Sequence, residues 1–375
     1  MKSDAAIIRL ICIKKPIIMN SNGNGSNNEQ AVKTILNRIT INDVAKHANT
    51  TKSTVSRVLN NSPLVNPKTK EKVLEAIRVL GYTPSTTARS LKSGKNHVLG
   101  LVVSQQQISE VIMNPNYPAI IKAISERAQS EGYHILLITS AGVEYQTYDG
   151  ILTSHAVDGF IVLGATIDDP LNEVLDSANI PYVFNMKYSR ARDDCYVSFD
   201  DFEGGYIAAK YLLDLGHTDI KLVVGDIRGK VLTHNLQRIS GFKKALEEYS
   251  VSFNESMVLR TPGDMESSYN FISNLFNHEK PSALLLSNEV TSIAALNALI
   301  DKGFHVPNDV SLVAFGYPEF FRNTRPSLTT VGQDTIWQGN HLVDMLLQRI
   351  QEHKNTPPPL IRKPELIIRE STRKL

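Results

Sequence analysis

Cysteine is nearly missing from this chain of 375 residues. Only Cys12 and Cys195 occur, far apart and without the close spacing of a zinc or iron–sulfur ligand set. Two such thiols build no disulfide scaffold and fit a reducing compartment. No apolar run approaches the roughly 20 residues that span a bilayer. Residues 5–19 come nearest, with Ile7, Ile8, Leu10 and Ile11. Arg9 breaks that run and no small-residue cleavage site follows, which argues against a signal peptide. Met19 is a second candidate start. The expectation is a cytoplasmic protein that contacts no membrane.

The fingerprints of common enzymes are absent too. No Gly-x-Ser-x-Gly elbow, Walker loop or dinucleotide glycine pattern follows a candidate strand. Gly23 and Gly25 have linker neighbours and no strand before them. His155, His217 and His234 have no partner at a recognisable spacing. No catalytic residue, metal ion or cofactor is therefore expected.

Net charge is also small, at +2, but it is unevenly spread. Residues 39–97 hold ten Lys/Arg against Asp43, Glu71 and Glu75, a net of +7, and the remainder carries −5. A small basic module on a mildly acidic body is the asymmetry of a nucleic-acid binder. Charge alone does not separate that reading from a solvated charged surface.

Residues 1–38 include a stretch rich in Asn, Ser and Gly and read as a disordered arm. From Thr40 the pattern turns helical. Thr40 and Asp43 make a capping-box start, and Ile41, Val44 and Ala45 form an inward face. Asn49 suits a turn position of positive φ. Thr51 caps a second helix from Lys52 to Leu59, which buries Val55, Val58 and Leu59. Asn66-Pro67 opens a third helix with Val73, Leu74, Ile77 and Leu80 on one face, and Gly81 stops it. Three short helices with a tight turn between the first two describe a helix-turn-helix. An ordinary helical bundle would share the spacing, but the polar second helix and the basic charge favour DNA. Residues 85–91 make a stretch too short to be helical alone. It suits a segment that folds only against a partner.

From Val98 the texture alternates strand and helix. Apolar runs at Val98–Val103, Ile135–Thr139, Gly159–Leu163, Tyr182–Asn185, Ile220–Val224, Met257–Arg260, Ala283–Ser287 and Ser311–Phe315 read as strands. Helical patterns fall at 118–130, 145–153, 171–178, 203–215, 236–249, 266–276 and 290–302. Continuous apolar strands between helices describe a doubly wound parallel α/β fold, here long enough for two sheets. A ligand then belongs beyond the carboxyl ends of the strands. The expected domains are an arm (1–38), a helix-turn-helix (39–84), a hinge and linker (85–96) and a ligand-binding core (97–375).

The residues Thr40-Ile41-Asn42-Asp43-Val44-Ala45, Thr54-Val55-Ser56-Arg57-Val58-Leu59-Asn60 and Ala88-Arg89-Ser90-Leu91 together resemble the lactose-repressor (LacI) family. So do Gly204-Gly205 to Gly216-His217, Val306-Pro307-Asn308-Asp309-Val310-Ser311 and Pro326-Ser327-Leu328-Thr329-Thr330-Val331. The resemblance spans residues 39 to about 372. It implies an all-α headpiece, a hinge helix and a periplasmic-binding-protein-like core of two parallel-sheet subdomains. It implies a homodimeric transcriptional repressor that binds double-stranded operator DNA under control of a small effector. Asn114-Pro115-Asn116-Tyr117-Pro118 is similar to maltose-type repressors and points to maltose or a maltooligosaccharide.

In a helix-turn-helix the second helix enters the major groove with its first residues on base edges. That selects Lys52, Ser53 and Arg57, which also match the family's base readers. Thr51, Thr54 and Ser56 are assigned to phosphates, with simple capping as the alternative for Thr51. Thr40, Asn60 and Arg89, inside the matched motifs, complete the expected contacts. By resemblance Leu91 is an apolar wedge in the minor groove, a device that unstacks a base step and bends the duplex. A core leucine is the plainer reading.

For the effector, Arg238 matches an arginine that contacts ligand in the family. Its fork suits vicinal hydroxyls or a carboxylate. Tyr117 is positioned to stack on a sugar, and Asp200 with Asp201 matches a pair near the cleft. Asn185, Glu289, Phe315 and Tyr317 complete the expected set. Tyr117 and Phe315 as core residues, and Arg238 as an ion pair between subdomains, are the competing readings. Two departures stand out. Glu289 stands where Asp is usual, and Gly316 replaces an Asp, which is expected to remove an acceptor and leave space. The sign of the response, and any phosphocarrier partner, stay open. A corepressor-dependent regulator and a sugar receptor that binds no DNA are the alternatives.

Overall fold

The computed structural model describes residues 39–59, 62–82, 96–103, 114–139, 156–164, 175, 180–186, 195–225, 232–352 and 357–375. Asn60, Arg89, Leu91, the expected arm and nearly all of the expected hinge lie outside them, as do the helical pattern at 145–153 and most of that at 171–178. The chain before and after position 90 forms two separate units.

The first unit holds α1 (Ile41–His47), α2 (Lys52–Leu59) and α3 (Pro67–Leu80). Thr40 caps α1 reciprocally: Asp43 N–H donates to Thr40 Oγ1 at 3.4 Å and Thr40 N–H donates to Asp43 Oδ2 at 2.8 Å. The Thr40 hydroxyl, and then the Thr40 N–H, donate to the Asp43 carboxylate and hold it below its ordinary range. Asn49 turns the chain at φ 47°. The α3 start is capped by Asn66, whose Oδ1 accepts from Lys68 N–H at 2.9 Å. Gly81 ends α3 at φ 61°, a left-handed angle that a side chain would strain. Val44, Ala45, Val55, Val58, Val73 and Ala76 meet in one small core, with Ile41, Leu59, Ile77 and Leu80 at its margin. Leu74 departs from expectation and is 49% exposed. Positions 73, 76, 77 and 80 lie on one helical face, and 74 is a full residue step of about 100° away from 73.

The second unit begins with β1 (Val98–Val103), α4 (Asn116–Ser130), β2 (His134–Thr139), β3 (Gly159–Leu163), β4 (Tyr182–Phe184) and β5 (Val197–Phe199). Strands β2-β1-β3-β4 form a parallel sheet. Leu99, Leu101 and Val103 pack on one face and Val102 with Phe160 on the other. Burial on both faces is why β1 reads as an uninterrupted apolar run.

Next come α5 (Asp201–Asp214), β6 (Ile220–Gly225), α6 (Thr233–Glu248), β7 (Val258–Thr261), α7 (Met265–His278), β8 (Ala283–Leu286), α8 (Glu289–Asp301), β9 (Ser311–Gly316), α9 (Pro318–Phe321) and β10 (Thr329–Gly332). The chain ends through α10 (Thr335–Glu352), β11 (Leu360–Arg362) and β12 (Glu365–Ile367). The second sheet has the order β12-β10-β9-β8-β6-β7, parallel except for β12. Helices α5 and α6 cover one face, with Leu212 and Phe242 in the core; α7 and α8 cover the other, with Phe276 and Leu299.

The chain crosses between the two lobes three times. It leaves the first lobe between β5 and α5 and returns between β10 and α10, whose Leu342, Leu346 and Ile350 pack with α4 under the first sheet. After β11, which pairs with β5, it enters the second lobe again at β12. Strands β5, β10, β11 and β12 and helix α10 were absent from the sequence-based expectation. Most of them are short, and their partners are distant in sequence.

Candidate functional site

Two surfaces carry candidate chemistry, one in each unit. In the headpiece, α2 divides cleanly. Val55 and Val58 face the core, while Lys52, Ser53 and Arg57 are exposed. Neither Lys52 nor Arg57 makes a side-chain ion pair among the described residues. Thr51 Oγ1 lies 2.8 Å from Ser53 Oγ and 3.0 Å from Thr54 Oγ1. It also accepts from Thr54 N–H at 3.3 Å. The three hydroxyls therefore cluster at the start of α2, whose first turn holds no acid. A helix N-terminus without a carboxylate leaves its N–H groups and positive dipole end open to a phosphate. Ser56 is half-buried on the same helix. Thr40 is tied to Asp43 through its hydroxyl at 2.6 Å, so its first task is the cap.

In the core, a cavity of about 200 Å³ opens between the lobes. Its walls are the carboxyl ends of strands from both sheets. Asn185 follows β4, Ser287 follows β8, Phe315 and Gly316 end β9, and Gln333 follows β10. The first lobe adds Tyr117 from the first turn of α4, which begins at Asn116, so Tyr117 sits on a helix and not within the preceding loop. The cavity lies where doubly wound sheets bind ligands, since helix starts and loops converge there.

Arg238 is the buried cation of this cavity. Its Nε and Nη2 donate to Asp201 Oδ1 at 3.0 and 2.7 Å, and Nη1 donates to the Ser287 carbonyl. The side chains of Arg238 and Asp201 are only 5% and 9% exposed. Gln333 Nε2 also approaches Asp201 Oδ1, at 3.3 Å. Burial raises the Asp201 carboxyl above its ordinary range, while Arg238 opposes the shift. The guanidinium lies 4.3 Å from the centre of the Phe315 ring. The ion pair lies within the second lobe, between α5 and α6, and not between lobes as one reading of the sequence had it.

Helices α5 and α6 touch through backbone. A Cβ on Gly205 would lie 2.1 Å from Arg238 O, and one on Gly241 would lie 2.0 Å from Phe202 O. Both positions need glycine for this close approach, which brings Asp201 and Arg238 together.

Glu289 is 4% exposed at the start of α8. Its Oε1 accepts from Tyr317 N–H at 2.9 Å. Burial raises its carboxyl, and the Tyr317 N–H and Arg238 oppose that. A Cβ on Gly316 would lie 2.0 Å from Glu289 Oε1. The space that Gly316 was expected to leave is therefore filled by the Glu289 carboxylate, and the acceptor is retained on another element.

Two further corrections concern expected contacts. Asp200 does not line the cavity; its Oδ1 caps α5 by accepting from Glu203 N–H at 2.9 Å. It lines a second recess of about 250 Å³ with Phe202 and Ile361. Tyr317 also lies off the cavity wall, where it caps the short α9 and meets Glu289 through its backbone. Tyr117, Asn185, Arg238, Glu289 and Phe315 do line it.

Several lining residues were not singled out from sequence. Gln338 on α10 donates to the Asn185 and Val197 carbonyls at 2.7 and 2.9 Å. Asn235, 1% exposed, donates to the Gly225 carbonyl at 3.0 Å, and its Oδ1 has no partner among the described residues. His234 Nδ1 is also buried without a partner among the described residues. Burial, then the charge of Arg238, holds the His234 imidazole well below the usual histidine range. Asn235 lies three residues before Arg238, one helical turn on the same face, a signal that was available. Ser287 is flagged by its place at the end of an expected strand, whereas Gln333 follows β10, which no sequence pattern announced. Nothing local marks Gln338. Among the described residues no cluster of three or more metal-ligating side chains occurs, and no helix is long and apolar enough to cross a membrane.

Residues 40–85 match the model described as bacterial regulatory proteins, lacI family, and residues 209–372 match a periplasmic binding protein-like domain. The HTH-type transcriptional repressor PurR of Haemophilus influenzae is 32% identical over 344 residues, covering 90% of this chain and 99% of the relative. A solved structure of a transcriptional regulator CelR–cellobiose complex is 28% identical, with a TM-score of 0.68, over 89% of this chain and all of that one (100%). A lac repressor dimer solved with operator and the anti-inducer ONPF shares the fold, with a TM-score of 0.77 at 24% identity over 89% of this chain and 99% of that one.

Proposed function

The chain belongs to the lacI family of bacterial regulatory proteins, and from that premise we propose that it is a homodimeric, cytoplasmic repressor released from operator DNA by a sugar. That it is a DNA-binding transcriptional repressor and not an enzyme follows from its relatives. The operator-reading residues, the effector and the dimer are the proposal.

The observation that carries the effector reading is the composition of the cavity between the lobes. Amide side chains, a held arginine and the rings of Tyr117 and Phe315 line one space. Planar polar groups matched to vicinal hydroxyls, with the Tyr117 ring for the C–H side of a sugar, suit a carbohydrate. The solved relative described with cellobiose supports the same class. The cavity volume, about 200 Å³, lies below the roughly 300–1,000 Å³ usual for drug-sized ligands. Within the maltose series it favours the disaccharide over longer oligosaccharides.

On the DNA, Lys52, Ser53 and Arg57 read base edges while Thr51, Thr54 and Ser56 hold phosphates. Thr40, Asn60 and Arg89 add contacts, and Leu91 acts as the minor-groove wedge. A ligand that touches both lobes binds one lobe arrangement better than another. It shifts the population by that differential affinity and by no more. The lobe arrangement in turn sets how two headpieces of a dimer meet one palindromic site.

The test is selection of an operator from random DNA by the purified chain, then titration of that complex with maltose, cellobiose and ribose. Release by one sugar is the expected result. Tighter binding with a small molecule would make it a corepressor-dependent regulator instead.

A further inference from the structure

Three features of the cavity bear on the charge of the ligand it admits. The first is the exchange between Glu289 and Gly316. Gly316 has φ 131°, an angle that L side chains rarely adopt, and a Cβ there would strike Glu289 Oε1 at 2.0 Å. No side chain of any kind therefore enters from β9 while Glu289 keeps this position. The second is an unpaired acceptor. Asn235 is fixed by its bond to the Gly225 carbonyl, yet Oδ1 is buried with no partner among the described residues. A buried acceptor left unmet is costly, so such an atom on a cavity wall is matched to a donor that arrives. The third is the charge balance. Arg238 is the buried cation of the lining, and Asp201 already neutralises it. Glu289 is a further acid, and burial keeps His234 neutral.

We infer that Glu289, seated over Gly316, determines ligand specificity in this cavity and, with Asn235, selects an uncharged hydroxyl donor and rejects its anionic counterpart. The inference rests on the cavity being the effector site. A neutral sugar brings hydroxyl hydrogens to Asn235 Oδ1 and to the Glu289 carboxylate. A phosphate ester or sugar acid brings acceptors and negative charge to a wall that already holds two carboxylates. The regulator therefore responds to a sugar before phosphorylation or oxidation, and a reaction of either class ends the signal.

The full chain is titrated calorimetrically with glucose, ribose, maltose and cellobiose, with the phosphate esters of the two monosaccharides and with gluconate. Binding to the selected operator is measured in parallel. At least one neutral sugar is expected to bind, and its phosphorylated or oxidised form at least about tenfold more weakly. Glu289→Gln keeps the shape and the oxygen that meets Tyr317 N–H but removes the charge. It is expected to weaken the neutral sugar about ten- to hundredfold, the size of losing a hydrogen bond to a charged group, and to narrow the gap to the anion. Gly316→Asp is expected to lose the sugar, because both its φ of 131° and the Glu289 carboxylate exclude a side chain there. Binding only of anions, binding of no neutral sugar, or unchanged selectivity in Glu289→Gln overturns the inference. A chain that selects no operator at all would instead sink the repressor reading.

Discussion

Arg238 and Asp201 face each other from two helices whose backbones touch: Nε and Nη2 of Arg238 both donate to Asp201 Oδ1, at 3.0 and 2.7 Å. The pair is nearly sealed from water, and the same guanidinium covers the face of Phe315. Such a pair is costly to break and cheap to replace whole, because one buried charge without its partner is worse than none.

That asymmetry separates structure from ligand binding. Arg238→Met is expected to destabilise the core by about 3–5 kcal/mol and to abolish the response to sugar. Arg238→Met with Asp201→Leu is expected to regain most of the stability while the response stays lost. Thermal unfolding and operator release by ligand measure the two effects. A double variant that still responds to sugar would show Arg238 to be structural only.

The contact between α5 and α6 gives a second prediction. Gly205→Ala places a methyl 2.1 Å from Arg238 O, against backbone that has no flexible end to give way. Overpacking of this kind is expected to cost about 1–3 kcal/mol. Because it displaces the helix that carries Arg238, it is expected to weaken ligand binding as well, and both are read in one set of calorimetric titrations and melts.

On the headpiece, Arg57→Ala is expected to lose about 1–3 kcal/mol of discrimination at one base position of each half-site. Thr54→Ala, at the hydroxyl cluster of the α2 start, is expected to weaken all sequences to a similar degree. Affinity for the selected operator and for single-base variants, at one fixed salt concentration, distinguishes them. Equal losses for Arg57→Ala across all sequences would assign that side chain to phosphate.

Two buried histidines make stability depend on pH. His217 lies with Nδ1 3.0 Å from Ser282 Oγ and Nε2 3.1 Å from the Arg373 carbonyl. Burial lowers its pKa from 6.5, and burial with the charge of Arg238 lowers that of His234 further. The unfolded chain therefore binds protons first as pH falls. The contribution is complete above 6.5 and is lost as pH drops from there toward the lowered value. Asp201 and Glu289 act in the opposite sense, because their raised values make the folded chain hold protons longer as pH rises. Comparison of the parent with His217→Gln at each pH cancels them. The stability lead of the parent is expected to shrink as pH falls below 6.5, and a constant lead would remove His217 from the account.

Much of this molecule was legible in the amino-acid order because much of it is decided locally. The Thr40–Asp43 cap, the turn at Asn49, the Asn66-Pro67 start and the stop at Gly81 are near-neighbour effects, and all appear where the residues put them. The eight apolar runs became strands because a parallel sheet covered on both faces tolerates little else. Leu74 is an instructive exception. It is apolar and sits next to a core residue, yet one residue of helical rotation turns it outward.

The cavity was legible only in part, because its walls come from segments far apart in the chain. Arg238 was identifiable from its motif, but its partner Asp201 was overshadowed by Asp200, which faces the helix N-terminus instead. Gln338 reaches the site because the chain returns to the first lobe through α10, a path no local pattern announces. Read alone, the order of residues shows Gly316 as a missing carboxylate. In the folded chain, 27 positions upstream, Glu289 has already taken that place, since β9 and α8 converge at the same end of one sheet. Local backbone preference and burial set the elements; which side chains share a space depended on long-range packing, and so did the chemistry of the site.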